Sequence, residues 1–137
     1  MKVRTMMLIA FLLCAMSGCD RKTDSQTNVE IIGGVAETNV GTVDKNSNML
    51  SATEWLLQNT GNAELRIDSI KPSCDCMEMK YDKSMTAKSG KYFPVRAILH
   101  PEEVDTGAFI REVEVYGNFP SSPLVLTMRG RIVDQKK

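Results

Sequence analysis

Cysteine and histidine are the side chains of this 137-residue chain best suited to chemistry, and it has four of the first and one of the second. Two cysteines stand close together, as Ser73-Cys74-Asp75-Cys76. In a regular strand, Cys74 and Cys76 would share a face with their Cα atoms roughly 6.6 Å apart, so a disulfide between them requires a kink or bulge. Closing so small a ring is worth only about 1.6 kcal/mol by chain entropy, a local tie rather than a staple. Two thiolates are also attractive but incomplete ligands for Cu(I) or Zn(II). Met77 and Met79 extend the pair to a soft C-x-C-M-x-M set, but in an unbroken strand they face away from both cysteines. Only a bend at Asp75 or Cys76 would gather all four. A zinc site would further need His100, Asp75 or a second subunit's cysteines. A thiol-transfer role would need a cationic neighbour to depress a thiol pKa. The expectation is a local disulfide or semi-buried thiol pair at Cys74 and Cys76; a metal- or thiol-handling role is the alternative.

The remaining candidates are weaker. His100 precedes Pro101 in a loop with no visible partner, and Glu102, Glu103 and Asp105 lack EF-hand spacing. Ser, His and Asp occur, but not in an order that builds a nucleophile. Ile31-Ile32-Gly33-Gly34 resembles the activated start of trypsin-like proteases, yet the chain is short and lacks a Gly-Asp-Ser-Gly segment. The reading is therefore no catalytic residue, no cofactor and no enzyme. Lys+Arg and Asp+Glu number 17 each. That balance gives no basic footprint for nucleic acid.

The first residues read as an address. Lys2 and Arg4 open a basic start, Met6 to Met16 is an apolar run too short to be read as a spanning helix, and Ser17-Gly18-Cys19 follows. Met-Ser-Gly-Cys resembles the lipobox of bacterial lipoproteins. That resemblance implies cleavage before Cys19, a diacylglyceryl group on its sulfur and an acylated amine. Two or more acyl chains would make anchoring stable. Loss of residues 1–18 removes Lys2 and Arg4 and leaves 15 basic against 17 acidic side chains, a formal charge of −2. Residues 19–28 then form the lipidated cysteine and a polar, aperiodic tether, Asp20 to Asn28, with a root-mean-square reach of roughly 15–20 Å.

The elements that must carry the cysteine pair are strands. At the head of the stretch Glu54 to Cys76, Thr53, Trp55 and Leu57 alternate with Glu54, Leu56 and Gln58. The chain breaks at Asn59-Thr60-Gly61-Asn62, where Gly61 can supply a positive φ. Ala63, Leu65 and Ile67 then alternate with Glu64, Arg66 and Asp68. Short extended segments are also read at Val29 to Ala36 (an edge strand with a bulge at Gly33-Gly34), Asn39 to Val43 and Met77 to Tyr81. Others follow at Tyr92 to Leu99, Phe109 to Val115 and Leu124 to Ile132. Asp82 to Lys91 reads as a polar connection. About seven strands over residues 29–137, with no useful helical period, predict an all-β, immunoglobulin-like β-sandwich.

Val40 to Val43 (V-G-T-V), Trp55 to Gly61 (W-x-L-x-N-x-G), Leu65 to Ile70 and Ser73 to Cys76 follow one another in an order that resembles the bacterial domain-of-unknown-function 1573 family. Ser89-Gly90, Gly107-x-Phe109 and Leu126-x-Met128-x-Gly130-x-Ile132 continue the resemblance to about Val133. The family implies an immunoglobulin-like fold similar to the ASH and major-sperm-protein sandwiches, and no assigned activity. Its usual S-C-G-C-T departs here to Asp75 and Met77. If the family's glycine serves a positive-φ turn, Asp75 would have to adopt it at some cost.

The expected function is a lipid-anchored, extracytoplasmic binding or assembly module of the bacterial cell envelope. Membrane contact is expected through Cys19, and the partner would be an envelope protein or glycan.

Overall fold

The structure is a computed structural model and describes residues 26–31, 35–47 and 51–136. The leader, Cys19 and Gly33-Gly34 lie outside the described residues. Nine strands form two facing sheets: β1 (Val29–Ile31), β2 (Glu37–Asp44), β3 (Ser51–Asn59), β4 (Leu65–Pro72), β5 (Met77–Lys80), β6 (Thr86–Ala87), β7 (Tyr92–Leu99), β8 (Gly107–Gly117) and β9 (Leu124–Val133). One sheet runs β1-β3-β7-β5 and the other β2-β9-β8-β4-β6. All pairings are antiparallel except β2 with β9. This is the immunoglobulin-like β-sandwich that the alternating segments predict.

Period-two patterning explains the layering. Leu57, Phe93, Val95, Ala97 and Leu99 from one sheet and Leu65, Val113, Val115, Leu126, Met128 and Ile132 from the other are fully buried. Their alternate neighbours Glu54, Arg66, Arg96, Glu112 and Arg129 face outward. Trp55 fills the core beside them, as its place on the inner face of β3 requires.

The prolines fall where the ladder can spare a donor. The His100 amide donates to the Cys76 carbonyl at 2.8 Å, so along β7 the even-numbered amides point toward β5. Pro94 therefore withholds a donor only on that side, and β5 pairs no further along β7 than Arg96. Pro72 behaves likewise. The Ser73 amide donates to Glu112 on β8, which turns the Pro72 nitrogen to the outer edge of β4, where β6 covers only Leu65 and Arg66.

Three sequence expectations change. The Asp82 to Lys91 connection contains β6, too short to show a period, and the strand count rises from about seven to nine. The packed unit begins earlier than Val29, because Gln26, Thr27 and Asn28 lie across the β3–β4 turn. Thr60 donates to the Asn28 carbonyl, Asn62 and Ala63 to that of Gln26, and the Gln26 amide to Asn62 Oδ1 at 2.7 Å. Thr27 is buried and its hydroxyl bonds the Asn118 carbonyl. Lastly, Gly61 does not take a positive φ. It is needed for room: a Cβ there would sit 2.3 Å from the Gln26 carbonyl oxygen and 2.6 Å from the Asn28 nitrogen. We call residues 26–28 the strap.

Candidate functional site

The cysteine pair lies in the turn from β4 to β5, at the end of the sandwich remote from the strap. Cys74 and Cys76 are joined by a disulfide, with their Cα atoms 5.2 Å apart. The contraction from strand spacing comes from the turn: the Met77 amide reaches back to the Cys74 carbonyl at 3.4 Å. Asp75 needs no left-handed backbone, since no described non-glycine residue has positive φ. The loop is pinned on both sides. Ser73 exchanges bonds with Glu112, amide to carbonyl at 2.8 Å and amide to Ser73 Oγ at 3.0 Å, while His100 holds Cys76. Cys76 and Met77 are buried in the core cluster, and Cys74 and Met79 pack against it.

His100 acquires neighbours that local sequence could not reveal. Its Nε2 lies 3.7 Å from Glu78 and its Nδ1 3.4 Å from Glu102. Glu78 arrives through the β5–β7 register, which sets residue 78 opposite 98. The hydrogen bond and charge of Lys80, with a smaller contribution from His100, hold the Glu78 carboxyl below its ordinary 4.5. A carboxylate depressed in the folded state stabilises above its unfolded pKa, and that stabilisation fades as pH falls through the lower folded value. Glu78→Gln is therefore expected to flatten the acid limb of the stability curve below about pH 4.5, slightly, because the pair is solvated. Urea melts at pH 3, 4 and 7 check this.

The two sulfurs are bonded to each other, and among the described residues no three His, Cys, Asp or Glu side chains gather as a metal site. With only a three-residue loop to constrain, reduction is expected to cost no more than about 1.6 kcal/mol. Urea unfolding with and without reductant measures it; a loss several times larger would make the tie a principal support of the fold.

The outer face of the β1-β3-β7-β5 sheet offers something different. Leu56 stands opposite Pro94, and Tyr92, opposite Gln58, is the next outward residue along β7. Leu56 is 36% exposed and Tyr92 44%. Together with half-buried Pro94 they make one contiguous apolar surface. Beyond it lies a charged row, Glu54, Arg96 and Lys80, side by side across three strands.

The opposite sheet presents a more self-satisfied face. Tyr116 donates to Glu114 at 2.7 Å, which raises the phenol pKa, and the Lys71 ammonium sits 4.9 Å above the Tyr116 ring. A shallow groove of about 350 Å³ runs beside the β2 irregularity, lined by Asn39, Thr42, Ile110, Arg129 and Arg131. Arg129 is already paired with Glu37. Ile110, 63% exposed, stands opposite Arg129.

Comparison with known proteins gives architecture. A family profile described as "Protein of unknown function (DUF1573)" matches residues 34–132. Among curated proteins none matches significantly in sequence. A crystal structure of a protein of unknown function from Porphyromonas gingivalis W83 is similar with a TM-score of 0.65 at 15% identity, covering 78% of this chain and 48% of that one. This chain thus spans about half that protein's length. The ASH/PapD-like domain 7 of human CEP192 follows with a TM-score of 0.58 at 11% identity, covering 82% of this chain and 88% of the domain. The E. coli chaperone DraB gives 0.54 at 9% identity, with 81% and 58% covered.

Proposed function

The chain belongs to the DUF1573 family, and we propose that it acts as a lipid-anchored, extracytoplasmic binding or assembly module of the bacterial envelope, without catalysis. The observation that carries the reading is the exposed surface of Leu56, Pro94 and Tyr92 on an open sheet face, bordered by Glu54, Arg96 and Lys80. An apolar centre with a charged rim is how protein partners are met. The bonded Cys74 and Cys76 suit an oxidising compartment. Lys2, Arg4, the apolar run and Ser17-Gly18-Cys19 supply the route there and the lipid anchor on Cys19. A sandwich of the same kind serves the chaperone DraB, which accords with a role in handling other chains.

The test is a paired substitution, Leu56→Lys with Tyr92→Glu, in protein captured with its partners from native membranes. Both sites are exposed, so stability should change by no more than about 1 kcal/mol. Partner recovery should fall at least about tenfold, equivalent to 1.4 kcal/mol or more of lost affinity. Undiminished recovery would count against this face.

A further inference from the structure

The strap crosses the β3–β4 turn at one end of the sandwich. β3 ends, β4 begins, β7 begins and β8 ends at the strap's end of the molecule. The disulfide turn, the His100–Thr106 loop and the end of β9 lie at the other, as the registers Asn59 with Val29, Ile67 with Gly117 and Met77 with Leu99 require. Gln26 is seven residues from Cys19, a span of no more than about 25 Å. β8 has eleven residues, so the remote end stands on the order of 35 Å further along the strands. A tether released at Val29 would let the domain turn over. A strap held by Thr60, Asn62, Ala63 and Asn118 does not, because it leaves a tether of at most about 25 Å, shorter than the domain, whereas release at Val29, at the same end opposite Asn59, lengthens the tether to about 36 Å.

Charge points the same way. The turn between β6 and β7 sets Lys88 and Lys91 at the strap end, with Glu64 as the carboxylate of the adjoining β3–β4 turn. The remote end carries Asp75, Glu102, Glu103, Asp105 and Asp134 against Lys45 and Lys136, a net negative set. An anionic lipid surface attracts the first set and repels the second. Resting on the lipid-anchored reading above, we infer that the strap-end turns, with Lys88 and Lys91, form a docking surface for anionic phospholipid headgroups, and that the disulfide corner and its acidic loop are held away from the membrane.

Amine footprinting on the acylated protein in phosphatidylcholine–phosphatidylglycerol vesicles, whose headgroups hold no primary amine, tests this with native lysines. Relative to the detergent-solubilised protein, Lys88 and Lys91 should lose reactivity severalfold while Lys45 and Lys136 keep theirs. Gly61→Val, which forces the strap off its turn, should abolish that protection with the chain still bound to vesicles. Equal protection at both ends, protection of Lys136 instead, or protection that survives Gly61→Val would overturn the inference. A chain that leaves cells unacylated would instead refute the anchored reading. The orientation is then read on the chain from Cys19 onward, coupled through that thiol to a maleimide phospholipid in the same vesicles, so the two failures are told apart.

Discussion

Asn59→Leu is expected to destabilise the domain by about 3–5 kcal/mol, although the two side chains are close in size. Asn59 is fully buried at the end of β3. Its amide nitrogen donates to the Ala63 carbonyl at 2.7 Å and the Ala87 carbonyl at 2.8 Å, and its Oδ1 accepts from the Gly61 amide at 3.0 Å. Those three bonds close the β3–β4 turn and attach β6 to it. Leucine would remove all three bonds, each group losing this partner at roughly 1–3 kcal/mol less whatever water or a remaining ladder bond recovers. Asn59→Asp separates geometry from chemistry. Its carboxylate faces two carbonyl oxygens, which raises its pKa, so the variant should gain stability as pH falls through that raised value toward the unfolded carboxylate pKa, opposite in sign to Glu78. Urea midpoints at pH 5 and 8 reveal the difference; a loss under 1 kcal/mol for leucine would remove Asn59 from the fold's principal supports.

The second large effect belongs to Phe93→Ala, at about 3–5 kcal/mol. Phe93 is fully buried opposite Leu57, and its ring centroid lies 6.5 Å from that of Tyr81, tilted by 49°. Alanine would open a cavity between the sheets at a register where Leu57, on a rigid strand, cannot collapse to fill it. For a domain near one hundred residues the midpoint should fall by on the order of 15 °C or more. Phe93→Leu retains most of the volume and should lose far less. Differential scanning calorimetry of the two variants ranks them, and equal losses would mean that ring shape, not volume, is what the core requires.

Residues with a strong local period were legible in the sequence. The alternation at Trp55 and Leu57, at Phe93 to Leu99 and at Leu126 to Ile132 places the inner faces, because in a half-buried strand burial repeats every second residue. Thr86–Ala87 was illegible, since two residues carry no period and their pairing depends on Leu65 arriving from elsewhere. Asn59 and Gly61 look like ordinary turn residues; what distinguishes them is the strap crossing above and β6 beside them, neither of which is local. The cysteine pair was half legible. Its three-residue loop announces a kink if the sulfurs bond, but the neighbours of His100 come from the β5–β7 register. The face with Leu56, Pro94 and Tyr92 was hidden for the same reason: Leu56 and Pro94 are 38 positions apart, and only the β3–β7 pairing brings them together.

The envelope assignment is tested most directly by the intact mass of the untagged protein extracted from native membranes under non-reducing conditions. The expected species begins at Cys19, carries diacylglyceryl and acyl mass on that residue, and is lighter by two hydrogens than the chain with Cys74 and Cys76 reduced. A chain that still starts at Met1, bears no lipid and holds both thiols free would contradict it.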